Sequence, residues 1–260
     1  MRRVSNWLLG LAFAASAAGG AAASRAETVT IMGGDIYVPV SFVTDGKPDG
    51  ILPKLLQHAA KRTGDVYVIE LMPWRRALDK AEKGEGGIVG LSYTEARSRI
   101  FDYSAMMYDN ELHIVVLEGS AIDAASLVQL RGKTVGGTLG ASYGETIDAA
   151  IRDGWFDVER DTSVIARLRK LLAGRFDAAL VGNCQIGIAY FVARDDVLSA
   201  NRERFRVLSP PLTRDPLHLA FAKIMAKRDV LRRFDAAMAE MAGSGELAAI
   251  ERSFMGSKTQ

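Results

Sequence analysis

The run from Gly64 to Arg97 reads GDVYVIELMPWRRALDKAEKGEGGIVGLSYTEAR. Val66–Leu71 is rich in β-branched and aromatic side chains, which fit a pleated, half-buried surface. Ala77, Leu78 and Ala81 then share one helical face, and the pattern stops at Gly84. Gly87–Leu91 is a short apolar run, and the polar stretch Ser92-Tyr93-Thr94-Glu95-Ala96-Arg97 follows it directly. A strand, a helix and a second strand in so short a span predict a βαβ unit, hence a parallel pair under helical cover.

The same alternation extends in both directions. Upstream, Val29–Ile31 reads as a strand, and Ile51, Leu52, Leu55, Leu56 and Ala59 form a helical face ending near Gly64. Downstream, Leu112–Leu117 is an unusually apolar strand, after which the pattern restarts. Thr134–Gly136 and Asp177–Val181 read as strands. Between them, Val164, Leu168, Leu171 and Leu172 make a helical face closed by Gly174. Ser142 and Glu145 have the spacing of a capping box opening a helix through Ile147, Ala150 and Ile151. Phe205–Val207 and Leu217–Phe221 are further strands, and the tail from Val230 to Phe254 is helical. Two successive βαβ sets predict two lobes. Leu112–Leu117 is the expected outward crossover, and the return lies near Pro210-Pro211. The expected fold is therefore α/β, with two mostly parallel sheets joined by a two-stranded hinge. The expected division is 27–114 with 216–260 for the first lobe and 115–215 for the second.

The N-terminus is set apart. Arg2 and Arg3 precede an apolar run from Trp7 to Ala18, and small residues follow as far as Ala26. This is the pattern of a secretory leader, with cleavage expected after Ala26 and Ala23 as the second choice. The run falls short of the roughly 20 apolar residues a membrane span needs. Removing residues 1–26 takes away Arg2, Arg3 and Arg25 and no acid, leaving 30 basic against 31 acidic residues and a balance of −1. A near-neutral chain without a basic stripe is not expected to bind nucleic acid. Cys184 is the one cysteine, so no internal disulfide is possible; it lies in an apolar run and is expected to be a small buried side chain.

Ligands in open α/β sheets collect beyond the carboxyl ends of strands. Three sets of residues fall at such junctions. Ser92, Thr94 and Arg97 offer hydroxyls and a planar fork suited to a carboxylate; the plain alternative is a surface loop with Arg97 paired to Glu95 or Asp102. Gly140-Ala141-Ser142-Tyr143-Gly144-Glu145 lies between a strand and a helix, where free amides favour an anion; ordinary helix capping explains the same residues. Tyr37 and Trp74 can line a cleft or belong to the core. His58, His113 and His218 lack metal-ligand spacing, with His58 expected in solvent and the other two on the crossovers. There is no nucleophile-elbow or phosphate-loop motif. No cofactor, no metal and no catalytic set are expected.

Several stretches resemble the bacterial family 3 extracellular solute-binding proteins, the polar amino acid receptors of ABC importers. They are Tyr37-Val38-Pro39, Asp45-Gly46 with Gly50–Leu56, Pro73-Trp74-Arg75-Arg76-Ala77-Leu78, Ser92-x-Thr94-x-x-Arg97, Phe101-x-Tyr103-Ser104, Leu130-x-Gly132-Lys133-x-Val135-Gly136 with Gly140-x-Ser142-Tyr143, and Leu171-x-x-Gly174-Arg175-x-Asp177-Ala178. The resemblance runs from about Thr28 to Phe254. It implies a type II periplasmic-binding fold, a monomer, a small carboxylate-bearing ligand such as an amino acid, and a membrane ABC permease as partner. It also implies residue roles. Arg97 would clamp the ligand carboxylate, with Ser92 and backbone near Gly90 helping from the first lobe. Ser142, beside Tyr143, would hold the same group from the second lobe, and Tyr37 and Trp74 would wall the pocket. One anion gripped from both lobes would favour the closed state.

The chain departs from the family where an ammonium-pairing Asp is usual. Gly182, followed by Asn183, stands at one such position, and Gly34, followed by Asp35, at another; Glu85-Gly86-Gly87 also replaces a usual Asp before Ser92. Either Asp35 or Asn183 substitutes, or the ligand lacks that ammonium. Two other readings share the fold. Periplasmic cyclohexadienyl dehydratases resemble these receptors, but the position of their acid is Gln185 here. A sensor or accessory module would dock on a membrane partner without delivering solute.

Overall fold

The computed structural model describes residues 26–182 and 184–255, and the side chains of Cys184, Gln185, Ile186 and Met255 lie outside what it describes. The order is β1 (Thr28–Gly34), β2 (Ile36–Tyr37), β3 (Ser41–Thr44), β4 (Lys47–Asp49), α1 (Ile51–Thr63), β5 (Val66–Met72), α2 (Trp74–Glu82), β6 (Gly87–Ser92) and α3 (Glu95–Ser98). β7 (Phe101–Leu117) leads into β8 (Thr134–Thr138), α4 (Glu145–Arg152), β9 (Asp157–Asp161), α5 (Val164–Leu172), β10 (Ala178–Gly182), α6 (Cys184–Val192), α7 (Asp196–Ala200) and β11 (Phe205–Val207). β12 (Thr213–Ala222) returns, followed by α8 (Arg228–Gly243) and α9 (Glu246–Met255).

The main sheet runs β5-β1-β6-β12-β7-β10-β8-β9, with β11 also on β7. Its two ends are parallel units, β5/β1/β6 and β10/β8/β9. The middle is antiparallel, because β7 and β12 travel in opposite directions between the lobes and pair with each other from Phe101–Ala222 to Leu112–Thr213. The two expected sheets are thus continuous through the crossover pair. The outward crossover starts at Phe101, well before the expected Leu112, because Tyr103–Asn110 pairs with β12 although its side chains are mixed. β2, β3 and β4 form a small antiparallel sheet of their own.

Local chemistry explains the elements that frame the cleft. α1 buries Ile51, Leu52, Leu55, Leu56 and Ala59, the face expected from their spacing. Its start is pinned by Gly50 at φ 111°, where a Cβ would lie 2.7 Å from the Val40 carbonyl oxygen. Ile51 and Leu52 donate their amides to the carbonyls of Pro39 and Val40 at 3.0 and 2.9 Å. Gly64 ends the helix in the left-handed conformation. The capping box expected at Ser142 and Glu145 does not form: Gly144 is the N-cap of α4 and no side chain caps it. Ser142 instead turns its hydroxyl to Asp148, one turn into the helix.

One core gathers Ile31, Leu55, Leu219, Phe221 and Phe234, and another gathers Ile114, Leu130, Val135, Ala178 and Leu180. A third packs Val38 with Val115, Leu168, Phe176 and Val181, so the turn after β2 is anchored on the second half of the chain. Phe42 on β3 lies 6.1 Å from the Tyr190 ring and 6.5 Å from the Phe254 ring, an apolar bridge across the same boundary. Among the described residues, no helix is long and apolar enough to cross a membrane.

Candidate ligand-binding cleft

A cavity of about 140 Å³ opens where the ends of β1, β6, β8 and β10 converge on β7 and β12. Its wall includes Tyr37, Trp74, Gly90, Ser92, Ser142 and Tyr143, six of the ten residues expected at the site. A second opening lies beside it between the lobes and is lined by Thr94, Arg97, Ser142 and Asp148 among others. Arg97 and Ser142 both line this second opening, and Ser142 borders the main cavity as well. Asp35 lines neither; its carbonyl accepts the Val43 amide at 3.1 Å in the small sheet. Asn183 lies outside the described residues.

Arg97 is positioned by α3, whose N-cap hydroxyl, Thr94, accepts the Arg97 amide at 3.1 Å. Its guanidinium is half-buried and donates to two carbonyls, Ser92 at 3.2 Å and Gly140 at 3.1 Å. The expected surface pairings are absent: Glu95 bonds Arg99 and Asp102 bonds Arg228. Two of its five N–H donors are thus used on backbone, one carbonyl from each lobe, leaving a fork able to take a carboxylate. Burial pulls its pKa below the usual arginine value, and the tyrosine and carboxylates around it, Tyr103 first, act the other way. Trp74 reaches the same carbonyl, its indole N–H 3.3 Å from Gly140 O.

On the second lobe, the donors at the start of α4 are already engaged. Asp148 accepts from the Ser142 hydroxyl and, at 3.0 Å, from the Tyr143 amide. The chain's own carboxylate occupies the place where an external anion was expected. Tyr143 is buried, and its hydroxyl accepts the Thr138 amide at 2.6 Å.

The polar centre of the cavity was not visible in the local sequence. Asp215 and Asn110 are both buried and face each other across the β12–β7 pairing. Asp215 Oδ2 accepts the Ser92 hydroxyl at 2.6 Å, and Asn110 Oδ1 accepts the Tyr37 hydroxyl at 2.5 Å. Burial raises the Asp215 pKa to about 6; its bond from Ser92 and the charge of Arg97 oppose that rise. Burial likewise pushes the Tyr37 phenol far up, so it stays a neutral donor. Tyr37 also explains Gly182: a Cβ there would lie 1.8 Å from the Tyr37 hydroxyl. No side chain fits at the end of β10 while that ring is in place.

Arg167 forms part of the wall from α5 and is fully buried. It donates to Asp161 and Thr138 Oγ1, both at 2.8 Å, and to Leu180 O at 2.9 Å. A signal existed in the sequence, since residue 167 lies on the same helical face as Val164, Leu168 and Leu171. The three histidines stand apart from both cavities. His58 is half-buried against Glu246 rather than free in solvent, His113 is bonded at 3.1 Å to the Leu208 carbonyl, and His218 at 3.0 Å to that of Ser104.

Comparison with known proteins bears on the fold and the family. The L-cystine-binding protein of Escherichia coli K12 is 24% identical over 223 residues, covering 85% of this chain and 79% of that protein. A histidine kinase sensor domain similar to periplasmic binding proteins superposes with a TM-score of 0.75 at 22% identity, covering 90% of this chain and 98% of the other. An ancestral arginine-binding protein bound to arginine gives 0.72 at 22% identity, with 87% and 97% covered. At these identities the structural matches speak to the fold. The family model for bacterial extracellular solute-binding proteins, family 3, matches residues 29–257, nearly all of the described chain. The chain belongs to that family.

Proposed function

We propose that this protein is a periplasmic receptor that captures a small carboxylate-bearing solute, an amino acid or a close relative, and delivers it to an ABC importer. It is exported by the leader ending near Ala26, acts as a monomer, and captures its solute without converting it. The lobes comprise 27–114 with 216–260 and 115–215, hinged on the crossover strands. Support comes from the cleft-facing set: Arg97 as carboxylate clamp, Ser92, Gly90 and Thr94 around it, Ser142 and Tyr143 opposite, and Tyr37 and Trp74 as walls. Arg97 is the observation that carries this reading. Its guanidinium is half-buried, forms no ion pair among the described residues and already touches both lobes. A partly desolvated guanidinium that serves two carbonyls and no acid gains a charge-assisted pair when a ligand brings a carboxylate.

The test is a melting-shift screen of residues 27–260 against amino acids, dicarboxylates, polyamines and aromatic acids. A receptor is stabilised by one ligand class through mass action, by about 2.7 kcal/mol at a hundredfold excess over Kd. It leaves prephenate and arogenate unconsumed. No shift with any class ends this reading. The similarity to a sensor domain supports a second one, in which the same cleft reports its solute to a membrane signalling partner. Co-purification with a permease or with a signalling protein separates the two.

A further inference from the structure

Asp215 is the one carboxylate among the described residues lining the main cavity. The two arginines in that wall are matched elsewhere: Arg75 by Asp79 at 3.0 Å and Arg167 by Asp161 at 2.8 Å. Asp215 itself forms no ion pair among the described residues, and its one hydrogen bond there is from the Ser92 hydroxyl, at 2.6 Å on Oδ2. A buried carboxylate with a single neutral donor is under-satisfied. Its second oxygen is left for a ligand.

We infer that Asp215 pairs with an ammonium group on the captured solute, so that the cleft selects zwitterions over simple carboxylates. The inference rests on the receptor reading above and refines it. Ser92 links the two poles: its carbonyl accepts from Arg97 and its hydroxyl donates to Asp215. Ser92 thereby ties an anion in the main cavity, Asp215, to a cation at the adjoining second opening, Arg97. The end of β10 cannot supply the acid instead, because the Tyr37 hydroxyl fills the space any side chain at Gly182 would need. Asn110 accepts the Tyr37 hydroxyl on Oδ1 beside Asp215, and both groups are neutral, so they add walls rather than charge.

The test is calorimetric titration of the wild-type protein and of Asp215→Asn with two matched pairs: L-cystine against dithiodipropionate, and L-glutamine against glutaramate. The substitution is nearly isosteric, and its amide oxygen still accepts from Ser92; a melting curve of the variant without solute confirms that it is folded. The expected result is that the wild type prefers the amine-bearing member of at least one pair by at least ~10-fold. Asp215→Asn erases that preference while still binding the amine-free member. A folded variant that keeps the preference, or a wild type that binds both members equally, overturns the inference and leaves the receptor reading standing. If the wild type binds no member of either pair, the receptor reading fails for these solutes, and the role of Asp215 falls with it.

Discussion

At the scale of single residues, two charges define the cleft, and both are partly stranded by burial. Arg97 serves two carbonyls and no acid, so its charge is spent on the ligand rather than on the core. Replacing it with Ala should weaken solute binding by about 100-fold or more, since a charge-assisted fork is worth roughly 3 kcal/mol. The melting temperature without solute should change little. Unchanged affinity by calorimetry would show that the carboxylate is held elsewhere. His58→Ala, by contrast, should leave binding intact, because His58 is tied to Glu246 between α1 and α9 and borders neither cavity.

Asp215 makes a pH prediction. Its pKa rises from 3.8 to about 6, caused first by burial. Ser92 and Arg97 oppose the rise, while Asp148 and Asp109 add to it. A carboxyl whose folded pKa is raised favours the protonated form in the fold. Its contribution is therefore most favourable below about pH 4 and is lost as the pH climbs to about 6. Without solute, Asp215→Asn should gain stability relative to the wild type over that window, by about 3 kcal/mol at neutral pH. Denaturant melts at several pH values will measure the difference, and a constant gap would mean that Asp215 is already compensated.

At the scale of elements, the cleft is shaped by what each element cannot carry. The end of β10 must be glycine because Tyr37 from β2 lies against it. Gly182→Ala should therefore destabilise the protein and weaken solute binding, and Tyr37→Ala in the same chain should recover part of the stability. Tyr37→Phe should recover little, because the ring carbon Cζ is itself 2.7 Å from the added Cβ position. Strict additivity in this double-mutant cycle would rule the contact out. α5 shows the opposite case, a charge placed on an apolar face. Removing Arg167 leaves Asp161 buried and unpaired, and Arg167→Ala should cost about 3–5 kcal/mol. Equilibrium unfolding in urea will read that loss.

At the scale of the whole molecule, the two halves share the β7–β12 pair and meet again at Gly140, where Trp74 and Arg97 converge on one carbonyl. Solute binding should raise the closed population, because the solute adds contacts to both halves at once. Indole fluorescence should report it: the change on adding solute should vanish in Trp74→Phe and persist when Trp155 is replaced. A change that survives Trp74→Phe would place the closing contact elsewhere.

The strand–helix alternation and the face of α1 were legible from order and period alone, and Arg97, Ser92, Tyr37, Trp74, Ser142 and Tyr143 stood out only as residues at strand–helix junctions, their roles being what the family resemblance implied. Each is a local property: side-chain periodicity, a glycine stop, or a polar junction after a strand. Asp215, Asn110 and the Tyr37–Gly182 contact were not legible. Asp215 meets Ser92 across 123 positions of chain and Tyr37 meets Asn110 across 73, and no short-range pattern encodes such a meeting. Nor could the sequence say that Asp148 would take the donors offered at the start of α4. Local chemistry decided which elements form and in what order they alternate. Only the packed fold decided which buried charges lack partners, because desolvation depends on every element that closes around a group and not on the residues beside it in the chain.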